Sequence, residues 1–144
     1  MTSFSRVKKM TFAAILIALG MIIPMVMPIK VMVEPISFTL ASHVPIFLAM
    51  FISPGVAVAV ALGTAFGFLL SFPITIALRA FSHVIFAFVG ATILKKHPSI
   101  VRNKKQNVYF ALGIGLLHSL VEALVVLILF LNKILCSISF PWLM

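Results

Sequence analysis

Residues 54–94 read PGVAVAVALGTAFGFLLSFPITIALRAFSHVIFAFVGATIL, and this stretch decides the fold class. It contains two apolar runs, at about 56–71 and 73–94, with a turn at Phe72-Pro73 between them. A helix that crosses the hydrocarbon core of a membrane needs about 20 mostly apolar residues. The stretch therefore predicts two membrane-spanning helices joined by a short turn.

The composition of the whole chain agrees with a membrane location. Of the 144 residues, 63% are hydrophobic and 9% are charged. A soluble domain has about 45–50% apolar residues, on a count that includes Gly, and about 25% charged residues. Lys and Arg number 11, Asp and Glu number 2, and the net charge is +9. The basic residues lie beside apolar segments, which is typical of orientation signals at a membrane and does not indicate nucleic-acid binding.

Other parts of the chain complete the prediction of an all-α membrane protein. Three further apolar runs are predicted as spans: about 10–28, 40–53 and 108–131. Pro24 and Pro28 are expected to kink or end the first span near its far side. Residues 29–39 have a partly alternating pattern and predict an ordered external loop. Residues 1–144 are thus predicted to form one integral membrane domain, a compact bundle of five transmembrane helices.

The basic residues predict the orientation of this bundle. The segment 95–107, KKHPSIVRNKKQN, carries five Lys or Arg residues, and the N-terminal tail adds Arg6, Lys8 and Lys9. Four spans between the two segments place both on the same side of the membrane. Since basic flanks favour the cytoplasm, we expect a multi-pass protein of the cell membrane with a cytoplasmic N-terminus.

Ionisable residues inside a membrane are costly and indicate a functional site. Five lie in or near the predicted spans: His43, Arg79, His83, His118 and Glu122. Arg79 and His83 are four residues apart and share one helix face, and the same holds for His118 and Glu122. The pattern predicts a polar pocket that opens outward from the middle of the membrane. Glu34, in the external loop, would join this pocket if the loop covers it.

The pattern leaves two interpretations of these residues open. Arg79 could hold a carboxylate ligand through paired hydrogen bonds, or it could form a structural ion pair with Glu122. The histidines could contact a ligand, or they could be hydrogen-bonded packing residues.

Motifs of enzymes are missing from the sequence. It has no HExxH, Walker A or GxSxG motif, and the HxxxE spacing of His118 and Glu122 does not provide a zinc pair with a base. Cys136 is the single cysteine, so a cysteine-built metal site is excluded. We therefore predict no catalytic residues, no cofactor and no metal site. Uphill transport would need a partner or an ion gradient.

Small residues at four-residue spacing allow close contact between membrane helices. Gly63 and Gly67 form a GxxxG pair in the third span, for which internal packing is the expected role. Ala14 and Ala18 form a flat stripe between bulky residues of the first span, and this stripe could serve another helix of the chain or a partner.

Three segments resemble one family of membrane proteins. They are RVKKMTFAAILIALGMIIP with its Ala14/Ala18 pair, the segment ASHVPIFLAMFISPGVAVAVALG, and FPITIALRAFSHVIFAFVGA. Together they resemble the S component, the substrate-binding membrane subunit, of energy-coupling factor (ECF) vitamin transporters. The second and third segments look most similar to niacin-type S components. The resemblance covers about residues 5–131.

The resemblance implies a fold of six membrane helices, of which the last is missing here or reduced to residues 133–144. It implies a vitamin-binding pocket near the outer side, covered by the loop after the first helix. It also implies ATP-driven uptake through one coupling subunit and two ATPase subunits, with Ala14 and Ala18 facing the coupling subunit. Niacin, a small carboxylate, would suit Arg79, and His83 could bind its ring nitrogen.

Other functions remain open at this point. Pantothenate and biotin also carry a carboxylate that Arg79 could bind. A small proton-coupled membrane transporter could use Glu122. A haem-binding electron-transfer subunit could use His83 and His118 as axial ligands.

Overall fold

A computed structural model describes residues 5–33, 36–39 and 41–139 of the chain. In these ranges the chain forms six helices and one β-hairpin. Their bounds are α1 Arg6–Val26, β1 Lys30–Val33, β2 Ile36–Thr39, α2 Val44–Met50, α3 Pro54–Ser71, α4 Ile74–Lys96, α5 Ser99–Arg102 and α6 Lys104–Ser139. The largely helical architecture confirms the predicted fold class.

Four of the described helices are long and apolar enough to cross a membrane, where five were predicted. They are α1, α3, α4 and the Lys104–Leu135 part of α6. The difference lies in the predicted span 40–53, whose helix α2 has seven residues and is only about 10 Å long. The hydrocarbon core is about 30 Å thick, so α2 cannot cross it alone. A turn with Ala41 at a φ of 63° precedes α2, and Pro54 already begins α3.

Local signals in the sequence set several helix ends. The Ser53 side chain accepts a hydrogen bond from the Val56 amide at 3.3 Å and caps α3, whose first residue is a proline. Serine at the N-cap and proline at the first position both favour a helix start. The helix α1 ends at Val26, two residues after the buried Pro24. The proline thus lies close to the end of the helix, as predicted.

The helix α3 lies at the centre of the fold, between α1 and α4. Its contact with α1 is close because glycines, which have no side chain, lie at the contact. A Cβ atom added to Gly63 would lie 2.6 Å from Cγ2 of Ile17, and one added to Gly67 would lie 2.6 Å from Cγ of Met21. The GxxxG pair therefore packs α3 against α1 within the chain. The main core lies between these helices and α2, around Ile46, Val60 and Phe86 as well as neighbouring alanines.

The long helix α6 packs mainly against α4 and exposes most of its surface. It has 36 residues and is about 54 Å long. The predicted fifth span, 108–131, lies within it. Residues 133–139 continue the same helix, so the described part of the chain shows no separate short helix at this point.

Residues 29–39 were predicted as an ordered loop, and the described part of residues 30–39 is a hairpin. Strands β1 and β2 pair antiparallel, with Lys30 opposite Thr39 and Val33 opposite Ile36. The alternating pattern of this segment agrees with a strand period of two residues. The hairpin places Thr39 and the turn that follows it beside α3, α4 and the middle of α6, where the candidate site lies.

Candidate functional site

A cavity of about 370 Å³ lies between the hairpin, the start of α2, and helices α3, α4 and α6. Its wall combines apolar side chains with a polar side. The lining residues are Thr39, Ser42, His43, Phe47, Thr64, Phe68, Ile76, Arg79, Ala80, His83, His118 and Glu122. Cavities of this size with a few convergent polar groups are typical of small-molecule sites.

Glu122 is the centre of the polar side. Arg79 donates a hydrogen bond from Nη2 to Oε2 of Glu122 at 2.7 Å, and the His83 Nε2 donates to Oε1 at 2.9 Å. The His118 Nε2 lies 4.0 Å from the same Oε1 atom. The side chains of Arg79 and Glu122 are only 12% and 20% exposed, so this ion pair is largely shielded from solvent.

Three histidine rings stand together beside this ion pair. The ring centroids of His43 and His83 are 4.7 Å apart, those of His43 and His118 are 4.9 Å apart, and those of His83 and His118 are 5.0 Å apart. The aromatic ring of Phe86 closes the group, with its centroid 4.7 Å from that of His118. The cluster is therefore a compact aromatic surface with polar edges.

Each histidine of this cluster comes from a different element. His43 lies in the turn before α2, His83 lies in the middle of α4, and His118 lies in α6. Arg79 and His83 are one helical turn apart, so they lie on the same face of α4, the face that contacts α6. His118 and Glu122 have the same spacing and lie on the face of α6 that contacts α4.

The structure brings five of the six candidate pocket residues together: His43, Arg79, His83, His118 and Glu122. The sixth, Glu34, lies outside the described residues. Ala14 and Ala18 are exposed on α1, on a different face from the buried Leu16, Gly20 and Pro24. This exposed position leaves the small-residue stripe available for a partner. The proposed ion pair between Arg79 and Glu122 is present.

Other lining residues carried little signal in the sequence. Thr39, Ser42 and Thr64 are small polar residues of common types, and Phe47 and Phe68 are ordinary apolar residues of a membrane chain. The pair Ser42-His43 is the one weak pointer, since two polar residues interrupt an apolar run. Only the packing of the helices shows that these side chains share one wall.

The side chains of this cavity could bind two chemically different kinds of ligand, a carboxylate or a metal ion. Arg79 and the histidine edges offer N–H donors to a carboxylate, beside aromatic rings against which a flat ligand can stack. The donor atoms of His43, His83, His118 and Glu122 also lie within 4.8 Å of one another, which is close enough for a shared metal ion to be considered.

Comparisons with known proteins identify one relative with a functional name. The niacin transporter NiaX of Lactococcus lactis subsp. cremoris (strain MG1363) is 45% identical to this chain over 126 residues. The alignment covers 87% of the chain and 57% of the relative, so the chain spans little more than half of the length of that protein. No protein-family model and no solved structure matches the chain.

The identity of 45% extends over nearly the whole chain, including the helices that build the cavity. It agrees with the resemblance that the three quoted segments indicated, and with the apolar helices of the fold. The absence of enzyme motifs agrees with the name of the relative, which is a transporter and not an enzyme. The chain is similar to this niacin transporter over most of its length, and its long apolar helices agree with a multi-pass membrane protein.

Proposed function

We propose that the chain is the substrate-binding part of a niacin-type S component and that it binds nicotinate in the cavity around Arg79 and Glu122. The observation that carries the proposal is a polar, largely buried cavity of about 370 Å³ in a chain 45% identical to a niacin transporter. Nicotinate is small, flat and anionic. A small cavity with an arginine, histidine edges and aromatic walls suits each of these properties.

Arg79 is the proposed partner of the nicotinate carboxylate. A guanidinium carries five N–H donors in a fixed planar arrangement, so one arginine can hold Glu122 and a ligand carboxylate together. The pair with Glu122 fixes Arg79 in the cavity wall, with 2.7 Å between Nη2 and Oε2. A preorganised arginine loses less conformational entropy when the ligand binds.

The histidines are the proposed partners of the pyridine ring. Their ring centroids lie 4.7–5.0 Å apart, and all three residues line the cavity. An N–H donor of His118 would bind the ring nitrogen of nicotinate, which is a hydrogen-bond acceptor, because the Nε2–H of His83 already donates to Glu122. Phe47 and Phe68 line the apolar part of the same cavity and would pack against the ring carbons.

ATP-driven uptake would come from partners, since the sequence carries no nucleotide-binding motif. We propose that Ala14 and Ala18 contact a membrane coupling subunit that carries two ATPase subunits. Both alanines are exposed on α1, away from the contact of that helix with α3. The proposed orientation has a cytoplasmic N-terminus. The helices α1 and α3 run parallel, since Gly63 lies at Ile17 and Gly67 lies at Met21, so the hairpin and α2 together return the chain between them. The basic segment 95–107 then lies on the same side as Arg6. The cavity then opens toward the outside.

The test is equilibrium binding to the full chain purified in detergent, with nicotinate and nicotinamide as the two ligands. Nicotinamide keeps the ring and replaces the carboxylate with a neutral amide. Loss of one charge-assisted hydrogen bond costs about 1.5–3 kcal/mol of binding free energy, so nicotinamide should bind roughly 10- to 150-fold more weakly. Equal affinity for the two ligands would contradict carboxylate recognition by Arg79.

Pantothenate and biotin serve as the competing vitamins in the same assay. Both carry a carboxylate on a flexible, non-pyridine body, and so they could use Arg79 but not the proposed ring contacts. We expect neither to displace nicotinate at an equal concentration. Tighter binding of either one would assign the chain to a different vitamin.

A further inference from the structure

Three of the four histidines of the chain meet at one point of the cavity, together with one of its two acidic residues. The donor atoms of His43, His83, His118 and Glu122 all lie within 4.8 Å of one another. The fourth histidine, His97, is exposed at the far end of α4. Imidazole nitrogens and a carboxylate oxygen are the ligand types of zinc and related divalent metal ions.

The hydrogen bonds of Ser42 orient the ring of His43 in the way that a metal site needs. The Ser42 hydroxyl donates its proton to the carbonyl oxygen of Thr39 at 2.9 Å. The contact of 3.0 Å between Ser42 Oγ and His43 Nδ1 therefore requires that Nδ1 donates to the hydroxyl oxygen. In this tautomer Nε2 carries the lone pair. A histidine that binds a metal has this arrangement, in which the other ring nitrogen donates to a neighbouring acceptor.

The lone pair of His43 faces no donor in the described part of the chain. Its Nε2 atom is buried and has no hydrogen-bond partner there, and the same is true of the Nδ1 atom of His118. Buried polar atoms without a partner are rare in native structures and call for an explanation, such as a bound ion. The two atoms belong to two of the four residues of the cluster.

Glu122 presents one oxygen to the histidines and the other to Arg79. Oε1 lies 2.9 Å from His83 Nε2 and 4.0 Å from His118 Nε2, whereas Oε2 accepts the hydrogen bond of Arg79. A carboxylate that ligates a metal through one oxygen is commonly held in place by a hydrogen bond to the other. Arg79 would therefore act as the outer partner of the ligand and would not compete with the ion.

The distances require only small movements of side chains. Zinc bonds of about 2.0–2.2 Å in a tetrahedron place neighbouring ligand atoms roughly 3.3–3.6 Å apart. The largest separation in the cluster is 4.8 Å, so the most distant donors must approach by about 1.2–1.5 Å. Rotation about the side-chain torsions of a histidine is sufficient for such a shift.

We propose that His43, His83, His118 and Glu122 form a binding site for one Zn²⁺ ion or a related divalent transition metal ion. The ion binds between His83 Nε2 and Glu122 Oε1, and it also binds the unpartnered Nε2 atom of His43. The proton on His83 Nε2 is released to solvent as the metal binds, and Nδ1 of the same ring carries the remaining proton. The proposal goes beyond the proposed vitamin binding and does not depend on it, since the four ligands belong to the chain itself.

The test uses the full chain, purified in detergent with a histidine-free tag and stripped of metal by a chelator. Zn²⁺ is titrated by calorimetry, and Co²⁺ serves as a coloured probe of geometry in the same site. We expect one ion per chain and the intense visible bands of four-coordinate Co²⁺. The absence of saturable binding, or the weak spectrum of six-coordinate Co²⁺, would overturn the proposal without any variant.

Variants then assign the ligands. Removing even an outer partner of a metal ligand costs 10- to 100-fold in affinity, so His43→Ala and His118→Ala should weaken Zn²⁺ binding by at least about 100-fold. Ser42→Ala removes the outer partner of His43 and should weaken it by about 10- to 100-fold. His97→Ala is the matched control and should bind as the unaltered chain does. An equal loss in His97→Ala and His43→Ala would overturn the assignment.

Vitamin binding is measured separately on the same samples. Zn²⁺ binding without nicotinate binding would contradict the proposed function and leave the metal site in place. Nicotinate binding to a chain that takes up no Zn²⁺ would overturn the metal site and support the proposed function. The two proposals therefore fail in distinguishable ways.

Discussion

Arg79 in α4 and Glu122 in α6 form an ion pair, with 2.7 Å between Nη2 and Oε2, although 43 residues separate them in the sequence. The pair links α4 to a helix that otherwise buries few side chains, among them Ile114. Removal of one partner from a buried ion pair leaves an uncompensated charge and commonly costs about 3–5 kcal/mol. The pair is therefore important for stability as well as for the proposed binding of a carboxylate.

A double substitution separates these two roles of Arg79. Arg79→Ala should lower the free energy of unfolding by up to about 3–5 kcal/mol, because Glu122 loses its arginine partner and keeps only the contact with His83, and Glu122→Gln in the same chain should restore most of it. The restored double variant should still bind nicotinate roughly 10- to 150-fold more weakly, because the charge-assisted hydrogen bond is lost. Unfolding in detergent and equilibrium binding measure the two effects.

Arg102→Ala is the control, because Arg102 is exposed at the end of α5, outside the cavity. It should change neither quantity. Normal nicotinate binding by the Arg79→Ala/Glu122→Gln variant would leave the ion pair as a purely structural feature.

A large side chain at position 14 or 18 should block uptake and spare binding. Ala14→Trp and Ala18→Trp place an indole on the exposed stripe of α1, and a contact built on small residues cannot admit it. Nicotinate affinity should stay unchanged because the cavity lies elsewhere. Co-purification with the coupling module and vitamin uptake in cells are the measurements.

Ala111→Trp is the matched control for this stripe, since Ala111 is an exposed alanine of α6. It should leave uptake and co-purification near normal. If Ala14→Trp and Ala18→Trp also assemble and transport normally, the partner surface is somewhere else on the chain.

The close contact between α1 and α3 predicts that alanine substitutions at Gly63 and at Gly113 have different effects on stability. In Gly63→Ala the new Cβ atom would lie 2.6 Å from Cγ2 and 3.2 Å from Cβ of Ile17, which cannot both move away easily. Overpacking costs about 1–3 kcal/mol, against a gain of about 1 kcal/mol in helix propensity. We expect a net loss of up to about 2 kcal/mol in the free energy of unfolding.

Gly113→Ala tests the same chemistry without the contact. A Cβ atom on Gly113 would meet no atom within 4 Å, so only the gain in helix propensity remains. This variant should be neutral or slightly more stable than the unaltered chain. A similar response of Gly63→Ala and Gly113→Ala would contradict the tight packing of α3 on α1.

The hairpin should become more ordered when nicotinate binds. Thr39, at the end of β2, lines the cavity, so a ligand there would contact the hairpin and slow its opening. Amide hydrogen exchange in residues 30–33 and 36–39 should slow with nicotinate present. Residues 99–102, in α5, serve as the internal reference and should exchange at the same rate in both samples. Unchanged exchange in the hairpin would argue against its role as a cover of the site.

Much of the fold follows from local sequence patterns. The predicted spans 56–71 and 73–94 overlap α3 and α4 closely, because long apolar runs between prolines and polar turns have few other stable forms in lipid. The segment 40–53 differs because it is shorter than the roughly 20 residues that a span needs and contains Ser42 and His43. Ser42 and His43 line the cavity, and the helix that follows them, α2, has only seven residues.

The prediction of the candidate site needs both local sequence patterns and contacts between distant segments. The four-residue spacings of Arg79 with His83 and of His118 with Glu122 predict shared faces, because each pair lies one helical turn apart. No spacing predicts that His43 joins them, since its position depends on the hairpin and the turn at Ala41. The sequence led to the prediction of no metal site, and the four residues now proposed as metal ligands come from three elements that no spacing connects.

The sequence alone thus determined that the chain is an all-α membrane protein with ionisable groups on two helix faces, because hydropathy and helical periodicity are local properties. Tertiary structure decided which faces meet. The packing of α4 against α6 brings Arg79 and His83 to Glu122, and the turn before α2 adds His43. These contacts depend on how rigid helices fit side by side, which small residues such as Gly63 permit and no single segment encodes.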